Sequence, residues 1–263
     1  MSCENGYIRR KTLTLDGLNS ASFGLYISSG GEYDLPQRDY TEQKIPGRNG
    51  SLIIDNGRYN NVEVSYGLLL FAPRGEFAEK MVAADSFLYR SNDYIKITDD
   101  YQPNYYRMGI PKGNLTWKIS ANNTVAEAKI KFLCKPQRYL TRGDVPKTFT
   151  ATDIQDVSKN KIVNPTAFPS KPFLHIEGTG SGTVTIGDTT AGAENFYTLS
   201  ITNISEFMDI DCEVRHAYKG STNCNDCIVA SNADYFLVQP GWQPISFTGD
   251  ITSVSITGRW WTL

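Results

Sequence analysis

The chain has 263 residues, with 26 basic and 28 acidic side chains, and a formal charge of −2. That balance excludes a basic nucleic-acid clamp, which shows a clustered cationic excess. An apolar content of 40% with 22 glycines excludes a disordered chain, and the length suits two domains.

The sequence shows no secretory leader. Arg9, Arg10 and Lys11 supply charge near the N-terminus, but no apolar stretch follows them. The longest apolar run, Leu68 to Ala72, is far short of the ~20 residues a membrane helix needs. Synthesis and folding in a cytosol are therefore expected. The five cysteines are then read as free thiols, and the sequons at Asn114, Asn122 and Asn203 as chance matches.

In chain order, the first periodic segment is helical. Phe77, Met81, Ala84 and Leu88 recur at helical spacing, behind Pro73 and Gly75, and predict one amphipathic helix over 76–90. A strand at Tyr94–Thr98 ends in a turn at Asp99-Asp100. From Ala126 to Cys134, apolar residues at even positions alternate with Glu127, Lys129 and Lys131, the period-2 pattern of a half-buried strand. Residues 141–160 are polar and aperiodic, and Pro165, Pro169 and Pro172 follow closely. Proline lacks a backbone donor, so this run cannot lie mid-sheet. A linker over 141–164 and a second domain from 165 to 263 are expected. Short strands should follow there, with Gly178, Gly180, Gly182, Gly187 and Gly192 marking turns, as in a sandwich or barrel. Met208–His216 reads as one strand with Ile210, Cys212, Val214 and His216 on one face. Thr252–Trp260 reads as another, with Val254, Ile256 and Trp260 together.

Candidate chemistry is sparse. The two histidines, His175 and His216, both fall in predicted strands, and no nucleophile elbow, P-loop or zincin motif occurs. Cys212, His216, Cys224 and Cys227 have zinc-like spacing. The plainer reading makes the first two core residues and the Cys-x-x-Cys a polar hairpin tip. Asp99 with Asp100, and Asp209 with Asp211, could suggest glycosidase carboxylates; a turn and a solvated strand face explain them better. Tyr101, Tyr105, Tyr106, Trp242, Trp260 and Trp261 could stack on sugars, but core and interface roles are favoured. The reading is of a non-enzyme without a cofactor.

Ile45-Pro46-Gly47-Arg48-Asn49-Gly50-Ser51-Leu52, followed by Gly57-Arg58-Tyr59-Asn60-Asn61, resembles the start of phage distal tail proteins. So do the next strand, Val62–Leu70, the helix at 76–90, and the strand closing on Phe132-Leu133-Cys134-Lys135-Pro136. In the second half, Asn164-Pro165 with Lys171-Pro172 and Ile176-Glu177-Gly178-Thr179-Gly180 are similar to that family. So are Ile210-Asp211 with Tyr218, and Gln239-Pro240-Gly241-Trp242 before Ile245-Ser246-Phe247. Gln243 departs from the family's asparagine.

The resemblance implies a mainly β chain with one helix. It has an N-terminal split-barrel-like ring domain at 1–140 and a galectin-like β-sandwich after the linker, without an inserted carbohydrate-binding module. It implies a homohexameric hub at the virion tail tip, made in the host cytoplasm. Its implied partners are the tail tube protein, a tail-associated tip protein and receptor-binding proteins, with DNA passing through ungripped. Pro46, Gly47, Arg48, Gly50, Arg58 and Tyr59 are then expected near the ring or tube interface, although a Pro-Gly pair is first of all a turn signal. An adhesin touching cell-wall sugars through Trp242, Trp260 and Trp261 is the alternative.

Overall fold

The computed structural model describes residues 10–187, 196–231 and 235–263. The fold is mainly β, as expected. Two compact units are present: one runs to Arg138 and includes Leu263, and the other is Tyr139–Thr262.

The first unit contains β1 (Leu13–Leu15), β2 (Leu18–Asn19), β3 (Leu25–Tyr33), β4 (Arg38–Lys44), β5 (Ser51–Tyr59) and β6 (Val62–Phe71). After these come α1 (Phe77–Leu88), β7 (Ile95–Asp99), β8 (Tyr105–Lys112), β9 (Lys118–Ile119) and β10 (Val125–Leu140), whose last two residues belong to the second unit. The sheet runs β2-β1-β7-β8-β10-β6-β3, with β9 also on β10. An isolated bridge between Lys11 and Ile27 ties β3 to the run-in of β1, so the sheet curls back toward itself like a split barrel.

The alternation in β10 is realised in its antiparallel ladder with β6, registered from Val125↔Phe71 to Cys134↔Val62. Ala126, Ile130, Phe132 and Cys134 face the core with Val62, Val64, Tyr66, Leu68 and Leu70. Helix α1 lays Phe77, Ala84, Phe87 and Leu88 on that core, and Phe87 stacks on Phe23 at 4.7 Å. The Tyr66 hydroxyl donates to Asp99 Oδ2 at 2.8 Å, and Asp99 Oδ1 accepts the amides of Tyr101 and Gln102. Asp100 Oδ2 accepts from the Thr12 amide and hydroxyl. Both carboxylates of this pair thus hold the turn.

The second unit contains β11 (Lys147–Thr150), α2 (Ala151–Gln155), β12 (Lys161–Asn164), β13 (Phe173–Gly187), β14 (Phe196–Asp211) and β15 (His216–Lys219). The rest is β16 (Thr222–Asn223), β17 (Ile228–Ala230), β18 (Gly241–Thr257) and β19 (Trp261–Thr262). Residues 141–164, expected as a linker, hold β11, α2 and β12, and both strands pair with β18. Helix α2 has five residues, too few to show an apolar stripe, and is closed by a reciprocal capping box between Thr150 and Asp153.

The expected series of short strands is replaced by three long ones: β13, β14 and β18 have 15, 16 and 17 residues. They lie side by side in one sheet, in the order β18-β13-β14. β13 and β18 lose register around Gly178–Gly182, and such an irregularity bends the strands. Backbones touch there: a Cβ on Gly249 would lie 2.3 Å from Ser181 O, and Gly249 has φ +77°. Gly178, Gly180 and Gly182 therefore mark a bend within a strand, not turns between strands. Gly192 lies outside the described residues.

The strand expected over 208–216 is a hairpin. Asp211 closes β14, Arg215 turns with φ +56°, and His216 opens β15 opposite Asp211. Val214 sits on the turn, 67% exposed, while Cys212 is buried. At the far end, β18 stops at Thr257, and Trp260 reaches the interior beyond the strand.

Candidate functional site

Strands β4 and β5 form a two-stranded sheet of their own. Pro46 presets the turn, Gly47 and Gly50 take φ +78° and +81°, and the Arg48 amide donates to Ile45 O at 3.2 Å. A cavity of about 420 Å³ opens at this tip, lined by Lys44, Ile45, Pro46, Arg48, Gly50 and Ser51.

Ion pairs brace the other end. Arg38 bonds Asp55 and lies over the Tyr59 ring, and Arg58 Nε is 2.5 Å from Asp39 Oδ2. The Arg58 hydrogen bond, then that of Asn56, lowers the Asp39 pKa, and the Arg38 hydrogen bond lowers that of Asp55. Both acids are therefore charged across the physiological range, and their ion pairs join β4 to β5 beside the slip in register between Asp39 and Tyr40.

The apolar side chains are the unusual feature. Tyr40, Ile45, Leu52, Ile53 and Ile54 all stand exposed, Ile53 at 55%. The register sets Ile53 beside Glu42 and near Tyr40 on one face, with Ile54 and Leu52 on the other, opposite Thr41 and Gln43. An isolated two-stranded hairpin is marginal in water, and aliphatic side chains on both faces of one point to a partner surface.

The six residues expected at an interface all fall in this hairpin, at its two ends. Pro46, Gly47, Arg48 and Gly50 form the tip, while Arg58 and Tyr59 lie at the braced end, engaged with Asp39 and Arg38. The sequence reading passed over Ile53 and Ile54. Their signal is the aliphatic triplet Leu52-Ile53-Ile54, which interrupts an otherwise polar stretch.

The other candidates are dispersed. Cys212 is fully buried, and its thiol pKa is pushed far up by that burial and by the charge of Asp211. His216 leans on Tyr218, and Cys224 and Cys227 flank a short 3-10 turn. Among the described residues, no three His, Cys, Asp or Glu side chains gather around a metal-sized point. His175 Nδ1 meets Asp209 Oδ1 at 2.6 Å on a strand face. Trp260 is buried, and Trp261 donates to Pro169 O and stacks on Phe168 at 4.4 Å. Of the three candidate sugar contacts, Trp242 stands out in solvent, 68% exposed.

No protein-family model matches the sequence, and no curated protein matches it significantly. Solved structures do match. The two units, in this order, reproduce the fold of phage tail-tip and baseplate proteins. The SPP1 Dit (gp 19.1) protein, described as a paradigm of the hub adsorption apparatus in phages infecting Gram-positive bacteria, superposes with a TM-score of 0.67 at 12% identity. That match covers 94% of this chain and 98% of that one. The phage p2 baseplate in its activated conformation matches with Sr at 0.55 and with Ca at 0.54, each at 10% identity over 95% of this chain. Those matches cover 98% and 97% of the p2 chains. The chain is Dit-like in fold along nearly its whole length.

Proposed function

We propose that this protein is a structural subunit of a phage tail, joining the tail tube to the host-adsorption tip as a homohexameric ring. The observation that carries this reading is the end-to-end fold likeness to the SPP1 hub protein, which leaves almost no part of either chain unmatched. The exposed hairpin supplies what a ring needs locally: a closed ring joins two different faces of each subunit, and an arm of solvent-facing aliphatics is one such face. In this reading the first unit forms the ring and the second projects as a sandwich. The tube, tip and receptor-binding proteins are neighbours, and DNA passes through the lumen. A chain of net charge −2 suits a channel that must not hold phosphates.

The role is non-catalytic. The acidic pairs serve turns and ion pairs, and His175 is engaged by Asp209 on an open sheet face. Native mass spectrometry and negative-stain images of the purified protein test the proposal: a six-subunit mass with a six-fold ring is expected. Replacing Arg48 and Arg58 by alanine should lower that mass or block tail assembly. A protein that stays monomeric at every concentration overturns the ring.

A second reading, an adhesin touching cell-wall sugars, rests on the exposure of Trp242. Glycan-array binding by the full chain, lost in Trp242→Ala, would support it and is compatible with a hub.

A further inference from the structure

We propose that Cys224 and Cys227 form a dithiol site that closes to a disulfide when a low-molecular-weight disulfide oxidises it. The pair is the Cys-x-x-Cys segment of the chain, and among the described residues no third His, Cys, Asp or Glu joins it to make a metal site.

The backbone supplies the geometry. Cys224 caps a 3-10 turn over Asn225–Cys227, and the Cys227 amide donates to Cys224 O at 3.0 Å. Such a turn takes about three residues and rises about 2.0 Å for each, so side chains three apart eclipse and their Cα atoms lie about 6 Å apart. A disulfide spans Cα atoms about 4.4–6.8 Å apart, so side-chain rotation is enough to close the bond. The turn is also held in place. The Cys224 amide donates to Ala217 O at 2.8 Å, and Asn225 Oδ1 accepts from the Ala217 amide at 2.7 Å. The Asn225 amide donates to Asn223 Oδ1 at 2.8 Å. Beyond Cys227 the chain enters β17, which pairs with β14 from Ile201↔Ile228.

The chemistry is thiol–disulfide exchange. Both thiols are free and half-buried, within reach of a small disulfide, whereas Cys134 and Cys212 are buried and do not compete. The Cys224 thiol donates to Thr222 O at 3.6 Å, a weak bond given up at small cost. With glutathione disulfide as oxidant, one cysteine thiolate attacks a sulfur of its S–S bond. That bond breaks, a mixed disulfide forms, and one glutathione thiolate leaves. The second cysteine attacks the protein sulfur of the mixed disulfide and expels the other glutathione. Two electrons pass from the dithiol to the glutathione disulfide, and the two cysteine protons end on the two glutathione thiols. The new bond closes the turn that leads into β17, whose ladder with β14 is only three pairs long. Short ladders open readily, so oxidation should slow proteolysis of this segment. The inference concerns this turn alone and does not rest on the hub reading.

The reduced full-length protein, incubated with glutathione disulfide at about pH 8 without denaturant, tests it. Remaining thiols are then alkylated and the peptides are mapped by mass. The expected product is a peptide in which Cys224 and Cys227 have lost two hydrogens, carry no alkyl group, and regain both thiols in dithiothreitol. Cys224→Ser and Cys227→Ser each remove the second thiol. Each should therefore keep glutathione on the remaining cysteine, at least about tenfold more than the parent protein holds there. Circular dichroism identifies a serine variant that fails to fold, and the alanine variant then replaces it. A parent protein that alkylates at both positions, keeps glutathione on either, or pairs either with another molecule overturns the proposal. So do folded single variants that hold no more glutathione than the parent.

Discussion

Arg259 grips Asp211 with both ends of its guanidinium: Nη1 lies 2.7 Å from Oδ1 and Nη2 lies 2.8 Å from Oδ2. The clamp ties the residue after Gly258 to the last residue of β14, and the Arg259 amide also holds Gly143 O at 3.0 Å. Burial pushes the Asp211 pKa up, but the Arg259 hydrogen bond and charge outweigh it, and the net shift is downward. Both side chains are three-quarters or more buried, so the pair is screened less than a surface bridge. Arg259→Lys, which loses the fork, should cost about 1–2 kcal/mol in urea unfolding, and Arg259→Ala about 2–3 kcal/mol. With the folded pKa depressed, the stabilisation is fully present above the unfolded value of about 4 and is lost as pH falls through the lower folded value. Asp211→Asn should remove that acid-side slope. Midpoints identical to the parent protein in all three variants would show that the clamp is idle.

The cysteines should divide by burial. Cys134 of β10 is buried against Gly109, where desolvation raises its thiol to about 12, and Cys212 is pushed further in the same direction. Thiolate is the reactive form, so both should resist alkylation at pH 8. Cys224 and Cys227 are half-buried on the 3-10 turn and should react. Iodoacetamide labelling with peptide mapping should mark Cys224 and Cys227 and spare Cys134 and Cys212 in the native protein, and should reach all five cysteines of the chain after urea. Added zinc should leave the melting temperature unchanged, since a ligand that binds only the folded form raises it. Rapid native labelling of Cys212, or a zinc-dependent rise in melting temperature, would contradict this account.

What could be read in the sequence follows from the range of the forces involved. The alternation in β10 and the apolar stripe of α1 are local periodicities, each facing one core, so pattern alone placed them. The structure departs from the local pattern at two places, a turn inside an alternating run and a bend inside a long strand. Nothing in the alternation of 208–216 reveals that Arg215 turns left-handed and folds β15 back on β14. The glycines of β13 look like turn residues because a backbone crossing and a turn make the same demand on a side chain. The proline-rich run looked like a spacer. Its organisation comes from Asn164, whose partners lie as far away as Val238, a long-range contact without a local signature. The β4–β5 hairpin was half legible: its turn motif is local, whereas the exposure of Ile53 and Ile54 depends on what does not cover them.

Asn164 gives a sharp test of that buried organisation. It is 1% exposed; its amide donates to Phe168 O at 2.8 Å and Val238 O at 2.9 Å, and its Oδ1 accepts from the Thr166 amide and hydroxyl. Asn164→Asp keeps the shape but turns two donors into acceptors facing carbonyls. It should cost roughly 2–4 kcal/mol at neutral pH, more than Asn164→Ala at roughly 1–3 kcal/mol. A carboxyl buried against carbonyls has a raised folded pKa. Its penalty is therefore present above that value and is relieved as pH falls and the group protonates. Thermal melts across pH read this directly: the aspartate variant should recover part of its deficit in acid, and the alanine variant should not.

The hairpin prediction separates folding from assembly. Ile53 and Ile54 are neighbours in β5 but face opposite sides, 55% and 45% exposed, so neither supports the first unit's core. Ile53→Lys and Ile54→Lys should each change subunit stability by no more than ~0.5 kcal/mol, as surface changes do. Where an isoleucine is covered by a second subunit, burial contributes about 1.5–3 kcal/mol per contact, and a lysine there leaves a charge to be desolvated. Around a six-membered ring that loss recurs at every junction. Native mass spectrometry should therefore show the parent protein as a ring and the lysine variants as small species with unaltered circular dichroism. If only one variant disrupts the ring, that face of β5 is the one in contact. If both variants assemble like the parent, the ring is held elsewhere and the hairpin meets a different tail component.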